Sequence, residues 1–129
     1  MALTYTMDDS DGFLLVRTSG HPDTAEEMLE YVQAIYDEVA DRSLESFLVD
    51  ETRLSVDFDM HIATTQASAK ASLSKQQQEQ RLRIRVAVVC ASHSVKLYEH
   101  LENAARQNGT HNAKVFTELV AGKEWLKNG

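Results

Sequence analysis

Cysteine, proline and glycine are all scarce in this chain of 129 residues, which holds one Cys, one Pro and five Gly. A single cysteine, Cys90, leaves no internal disulfide and fits a reducing compartment. With so little punctuation, Pro22 and four glycines (Gly12, Gly20, Gly109 and Gly122) must mark the joints between elements. Long apolar runs are missing too, and none approaches the roughly 18 residues of a membrane span. The opening Met1-Ala2-Leu3-Thr4-Tyr5 carries neither a basic nor an apolar leader segment, so no signal peptide and a cytoplasmic location are expected. Basic residues are the minority, 13 Lys and Arg against 20 Asp and Glu for a net charge of −7. That balance disfavours nucleic-acid binding through phosphate neutralisation. No linker or internal repeat is visible, so a single domain over residues 1–129 is expected, long enough for a core without disulfides or metal.

Chemical signatures are equally sparse. The sequence has no G-x-S-x-G nucleophile elbow and no glycine-rich phosphate loop. Among five histidines, only His93 and His100 share a helical segment, two turns apart and too distant to ligate one ion together. No metal site, cofactor or catalytic residue is expected.

What is present is periodicity. Leu3 to Met7 alternates weakly, as an edge strand would, and Asp8-Asp9-Ser10-Asp11-Gly12 reads as a hairpin connection. Phe13 to Arg17 is a short apolar run, hence a buried strand. From Asp23 to Ala40 the apolar positions Ala25, Met28, Leu29, Val32, Ile35, Tyr36 and Val39 follow helical spacing. Pro22 stands just before, and either Asp23 with Glu26 or Thr24 with Glu27 forms a capping box. Ser46 to Asp50 is a third strand. A weaker helix runs from Asp57 through Phe58, Ile62, Ala63, Ala69 and Leu73, overlapping the polar stretch Ser72 to Gln80. Leu82 to Cys90 reads as an interior strand, with Arg81, Arg83 and Arg85 along one wet face. Val95 to Asn108 is a helix stopped at Asn108-Gly109. Lys114 to Phe116 is a last strand and Glu118 to Lys127 a last helix, its Trp125 facing the sheet. The order β-β-α-β-α-β-α-β-α predicts an α/β fold with a mostly parallel sheet and one antiparallel edge strand.

Several of these segments carry a family likeness. Arg85-Val86-Ala87-Val88-Val89, the helix end Leu101-Glu102-Asn103-Ala104-Ala105-Arg106-Gln107-Asn108-Gly109, Val115-Phe116 and Glu124-Trp125-Leu126 resemble a pattern of uncharacterised bacterial STAS-like proteins, the fold of anti-sigma factor antagonists. Phe47-Leu48-Val49-Asp50 and Val56-Asp57-Phe58 resemble the same family's strand-loop-helix passage. Gly122 stands where those proteins usually carry Ala. The resemblance implies a STAS-like fold and a non-catalytic role in binding another protein. One departure matters: antagonists place a phosphorylatable serine just after an Asp at the start of the helix following the third strand. Here that place reads Val56-Asp57-Phe58-Asp59, and Ser55 precedes the Asp.

In open parallel sheets, ligands collect at the carboxyl ends of strands. His21, Asp50, Ser92, His93 and Ser94 fall there, and Asp57 opens the following helix, so these six form the candidate partner or ligand surface. His21, Asp50, Ser92 and His93 hold the inventory of a hydrolytic triad, while Ser92 and Ser94 equally suit caps for the helix from Val95. Cys90 reads as an inert core thiol. Three readings follow. The first is an interaction module using the acidic first helix or the surface near Asp57. The second is a carrier of a small apolar ligand, because STAS-like domains resemble CRAL-TRIO lipid-transfer domains in architecture. A hydrolase comes third. Charge is divided unevenly, 3 Lys and Arg against 15 Asp and Glu in residues 1–69 and 10 against 5 in residues 70–129. That division offers an electrostatic route to a homodimer, or averages out if the halves interleave.

Overall fold

The computed structural model describes residues 3–55, 79, 83–108 and 112–128. Five strands form one sheet in sequential order: β1 (Thr4–Ser10), β2 (Phe13–Gly20), β3 (Ser46–Leu54), β4 (Arg85–Val89) and β5 (Asn112–Phe116). β1 pairs antiparallel with β2, and every other pairing is parallel, as the element order predicts. The described helices are α1 (Ala25–Asp41), α2 (Val95–Asn108) and α3 (Leu119–Lys127). Glu79 and Arg83 are also helical. The helix expected from Asp57 to Leu73 lies outside the described residues.

The β1–β2 hairpin is tighter than the five-residue polar turn the sequence implies. Asp8, Asp9 and Ser10 continue the ladder opposite Leu15, Leu14 and Phe13. Only Asp11 and Gly12 turn, at φ 51 and φ 88, the paired left-handed geometry that Asp-Gly supplies. At α1, Thr24 is the N-cap: its hydroxyl accepts from the Glu27 N–H at 3.1 Å, and the Glu27 carboxylate accepts from the Asp23 N–H at 3.0 Å. This selects Thr24 with Glu27 from the two capping boxes.

Both crossovers that flank the middle of the sheet, β2-α1-β3 and β4-α2-β5, step the same way, so right-handedness puts α1 and α2 on one face. That face buries Leu14 and Val16 of β2, Phe47 and Val49 of β3 and Val86 of β4 against Met28, Tyr31, Ile35, Tyr36 and Val39 of α1. Residues of the opposite parity, Phe13, Leu15, Leu48, Ala87 and Val89, face the other way and meet Leu126, with Trp125 half-buried beside them. Gly122 is where α3 lies closest to the sheet: a β-carbon there would stand 3.0 Å from the Leu48 Cδ1 atom and 3.4 Å from Val89.

One expected strand is shorter than its pattern. β4 begins at Arg85, and Arg83 is helical; Arg81 lies outside the described residues. The alternation Arg81-Arg83-Arg85 is therefore not a strand face. Arg85 instead places its guanidinium 4.0 Å from the Trp125 ring centre, a cation–π contact joining the start of β4 to α3.

Candidate functional site

The carboxyl edge of the sheet is stepped. Asp50 pairs with Val89, the last residue of β4, whereas β2 and β3 continue to the pair Gly20 and Leu54. β2 covers this step in three residues, Thr18 to Gly20, which carries that corner about 10 Å past the end of β4 at ordinary strand rise. His21 sits on the high corner, where its Nδ1 donates to the Ser55 carbonyl at 2.6 Å, while the Ser55 N–H donates to Gly20 at 2.8 Å. A carbonyl only accepts, so this contact fixes the proton on Nδ1. Asp50 lies lower, its Oδ1 accepting from the Thr52 N–H at 3.2 Å and hydroxyl at 2.7 Å. Ser92, His93 and Ser94 form a short 3-10 turn running into α2. Ala91 precedes that turn as its N-cap and makes no side-chain bond there. Among the described residues no hydrogen bond joins His21, Asp50, Ser92 and His93, and Asp57 lies outside them.

The polar chemistry that does converge is elsewhere and buried. Glu51, 8% exposed, points to the α1–α2 face. The Tyr31 hydroxyl donates to its Oε2 at 2.8 Å. Tyr98 of α2 makes a second hydrogen bond to the same carboxyl. Thr18, 3% exposed, bonds the Tyr31 oxygen at 2.7 Å; with Tyr31's single proton given to Glu51, Thr18 is the donor. The chain Thr18–Tyr31–Glu51–Tyr98 thus ties β2, α1, β3 and α2 together. Burial pushes the Glu51 carboxyl above its ordinary range, against the two tyrosine hydrogen bonds that favour its ionised form. Burial and then the Glu51 charge push both tyrosines up, so they remain donors. The fully buried Cys90 thiol is pushed up to about 11, by burial first and Glu51 second. A neutral thiol is a poor nucleophile, consistent with its place in the core.

Two concave features flank this network. On the α1–α2 face a cavity of about 190 Å³ is lined chiefly by apolar groups, including Val32, Ile35, Val49 and Val88, with Glu51 and Tyr98 at its polar end. On the opposite face, at the far end of β1–β3, an open cleft of about 440 Å³ is lined by Thr4, Thr6, Arg17, Ser19, Asp50 and Arg53, among others.

Sequence reasoning missed Glu51 and Tyr31. Tyr31 lies three residues after Met28 and four before Ile35, so helical spacing alone places it on the buried stripe. Glu51 had no comparable signal beyond following a buried strand.

No family model matches the chain, and no curated protein matches it in sequence. Solved structures do match in fold. An anti-sigma factor antagonist from Mycobacterium paratuberculosis superposes with a TM-score of 0.59 at 15% identity, covering 98% of this chain and 95% of that one. An uncharacterized protein of the DUF3478 family with a SpoIIAA-like fold, from Shewanella loihica, gives 0.53 at 17% identity over 96% and 93%. The chain has a STAS-like α/β fold, an antiparallel edge strand on a parallel sheet, as its sequence pattern implies. No described helix is long and apolar enough to cross a membrane.

Proposed function

We propose that this chain is a non-catalytic regulatory module that acts in the cytoplasm by binding another protein. The observation that carries the reading is the fold, shared over nearly the whole chain with an anti-sigma factor antagonist. The outer side of α1 supports it: Glu26, Glu30, Asp37 and Asp41 are all exposed there, an acidic strip suited to a basic partner surface. Asp57 and the carboxyl edge with His21, Ser92, His93 and Ser94 extend the same proposed surface. Because the sequence puts Phe58 where antagonists have a phosphorylatable serine, binding here is not switched by a kinase at that position. Affinity capture from the chain's own cells tests the reading, comparing wild type with a Glu26→Lys, Glu30→Lys double variant. A stoichiometric protein partner held by the wild type and released by the variant is expected. Absence of any stoichiometric partner on the wild type overturns it.

The cavity on the α1–α2 face favours a second reading, a carrier of a small apolar ligand with one hydroxyl or amine to meet Glu51. Its mark is a small molecule that stays with the protein through non-denaturing purification.

A further inference from the structure

The open cleft on the sheet face opposite α1 is built unlike its surroundings. Residues 1–69 contain three basic side chains, Arg17, Arg42 and Arg53. Arg42 is neutralised by Asp9 and Glu38, each at 2.7 Å. The other two both line the cleft, and neither has an ion-pair or hydrogen-bond partner among the described residues. Their meeting is not automatic. Arg17 pairs with Asp50 and Ser19 with Arg53, so β3 spends three residues where β2 spends two. That extra residue is a β-bulge, which turns Arg53 to the side of the sheet that holds Arg17. Strict alternation from Asp50 would have sent it to the other face.

The bulge is held in place by Asp50, whose Oδ1 takes both the N–H and the hydroxyl of Thr52. Asp50, the one carboxylate lining the cleft among the described residues, makes no ion pair with Arg17, its neighbour in register. Hydroxyls complete the lining: Thr4 and Ser19, bonded to each other at 3.0 Å, and Thr6 beside them. Two free guanidinium forks on adjacent strands, edged by hydroxyl donors, form an anion receptor inside the acidic half of an acidic protein.

We propose that this cleft binds a small phosphomonoester. A phosphate presents three acceptor oxygens in three directions, which suits two forks arriving from neighbouring strands together with a hydroxyl. A single carboxylate presents two oxygens in one plane and satisfies one fork. The volume of about 440 Å³ lies within the range of small-ligand sites. Arg17 and Arg53 hold the phosphate, Thr6 and Ser19 contact its ester oxygen or the adjoining carbon chain, and Asp50 positions Arg53 through the bulge. The inference stands apart from the partner-binding reading and survives its failure.

Calorimetric titration of the full chain at low ionic strength with glycerol 3-phosphate and ribose 5-phosphate tests it, with succinate as the comparison. Saturable binding of at least one phosphomonoester is expected. It should weaken about tenfold or more in Arg17→Gln and in Arg53→Gln, since each loses charge-assisted hydrogen bonds. Arg42→Gln, outside the cleft, should bind as the wild type does. Both cleft arginines are exposed, so the variants are expected to fold, and circular dichroism checks that they do. No binding of either ester at millimolar concentration, equal binding of succinate, or unchanged affinity in the two folded cleft variants each overturns the proposal.

Discussion

Replacing Glu51 by Gln isolates the energetic consequence of a buried carboxyl. Burial raises Glu51 above its ordinary value of 4.5, with the Asp50 charge adding to the effect and the Tyr31 and Tyr98 hydrogen bonds opposing it. The folded chain therefore holds this proton more tightly than the unfolded chain does. Below 4.5 the group is neutral in both states and carries no penalty. Between 4.5 and the raised value the folded state binds more protons, so stability falls as pH rises through that window. Each unit of elevation corresponds to about 1.4 kcal/mol. Gln keeps the size of the side chain and its acceptor oxygen for the two tyrosines but never ionises. The stability of Glu51→Gln relative to wild type should thus climb with pH, by up to about 1.4 kcal/mol per unit inside the window, and level off above it. Urea unfolding followed by the fluorescence of Trp125, the only tryptophan, measures this at steps from about pH 5 to about pH 8. A difference that stays constant with pH would mean that Glu51 ionises as an exposed carboxyl does. A difference that falls would mean that the tyrosine hydrogen bonds outweigh burial. Either result refutes the reasoning.

Other perturbations follow from the same contacts. Tyr31→Phe removes the hydroxyl that bridges Thr18 and Glu51 and should cost about 2 kcal/mol in urea unfolding, because it strands a buried hydroxyl beside a buried carboxyl. A cost under roughly 0.5 kcal/mol would show the bridge to be unimportant. Gly122→Val drives a branched side chain into Leu48 and Val89 and should lower stability by about 2 kcal/mol or more through overpacking; wild-type stability would contradict the close approach of α3. Cys90, with no exposed surface and its thiol pushed up to about 11, should resist a thiol reagent at neutral pH until urea unfolds the chain, whereas prompt labelling of the folded protein would contradict its burial.

The sequence made the apolar runs legible, because burial and spacing are local properties. The stripe of α1, the interior of β2 and β3 and the Ala-Val-Val end of β4 all lie where the pattern places them. Polar extensions of strands were not legible. The expected strands stop at Arg17 and Asp50, yet Thr18 to Gly20 and Glu51 to Leu54 continue the ladder because a neighbouring strand satisfies their backbone groups. The bulge that reorients Arg53 depends on register between β2 and β3, which no single segment contains. Glu51 is buried only because Tyr31 and Tyr98 arrive from two distant helices. Of the residues expected at the carboxyl edge, His21 follows the end of β2 and Ser92, His93 and Ser94 follow β4, whereas Asp50 lies inside β3, which runs on to Leu54; Asp57 lies outside the described residues. Among the described residues no hydrogen bond joins His21, Asp50, Ser92 and His93, and β2 and β3 run on past the end of β4.

Native mass spectrometry of the protein, purified without denaturation from its own cells, puts the interaction-module reading to the test. The expected result is a complex whose mass is one or more copies of the 14.5 kDa chain plus a whole second protein. A chain found alone, or carrying only an apolar molecule of a few hundred daltons, would contradict that reading, and the second result would make the ligand carrier the correct one.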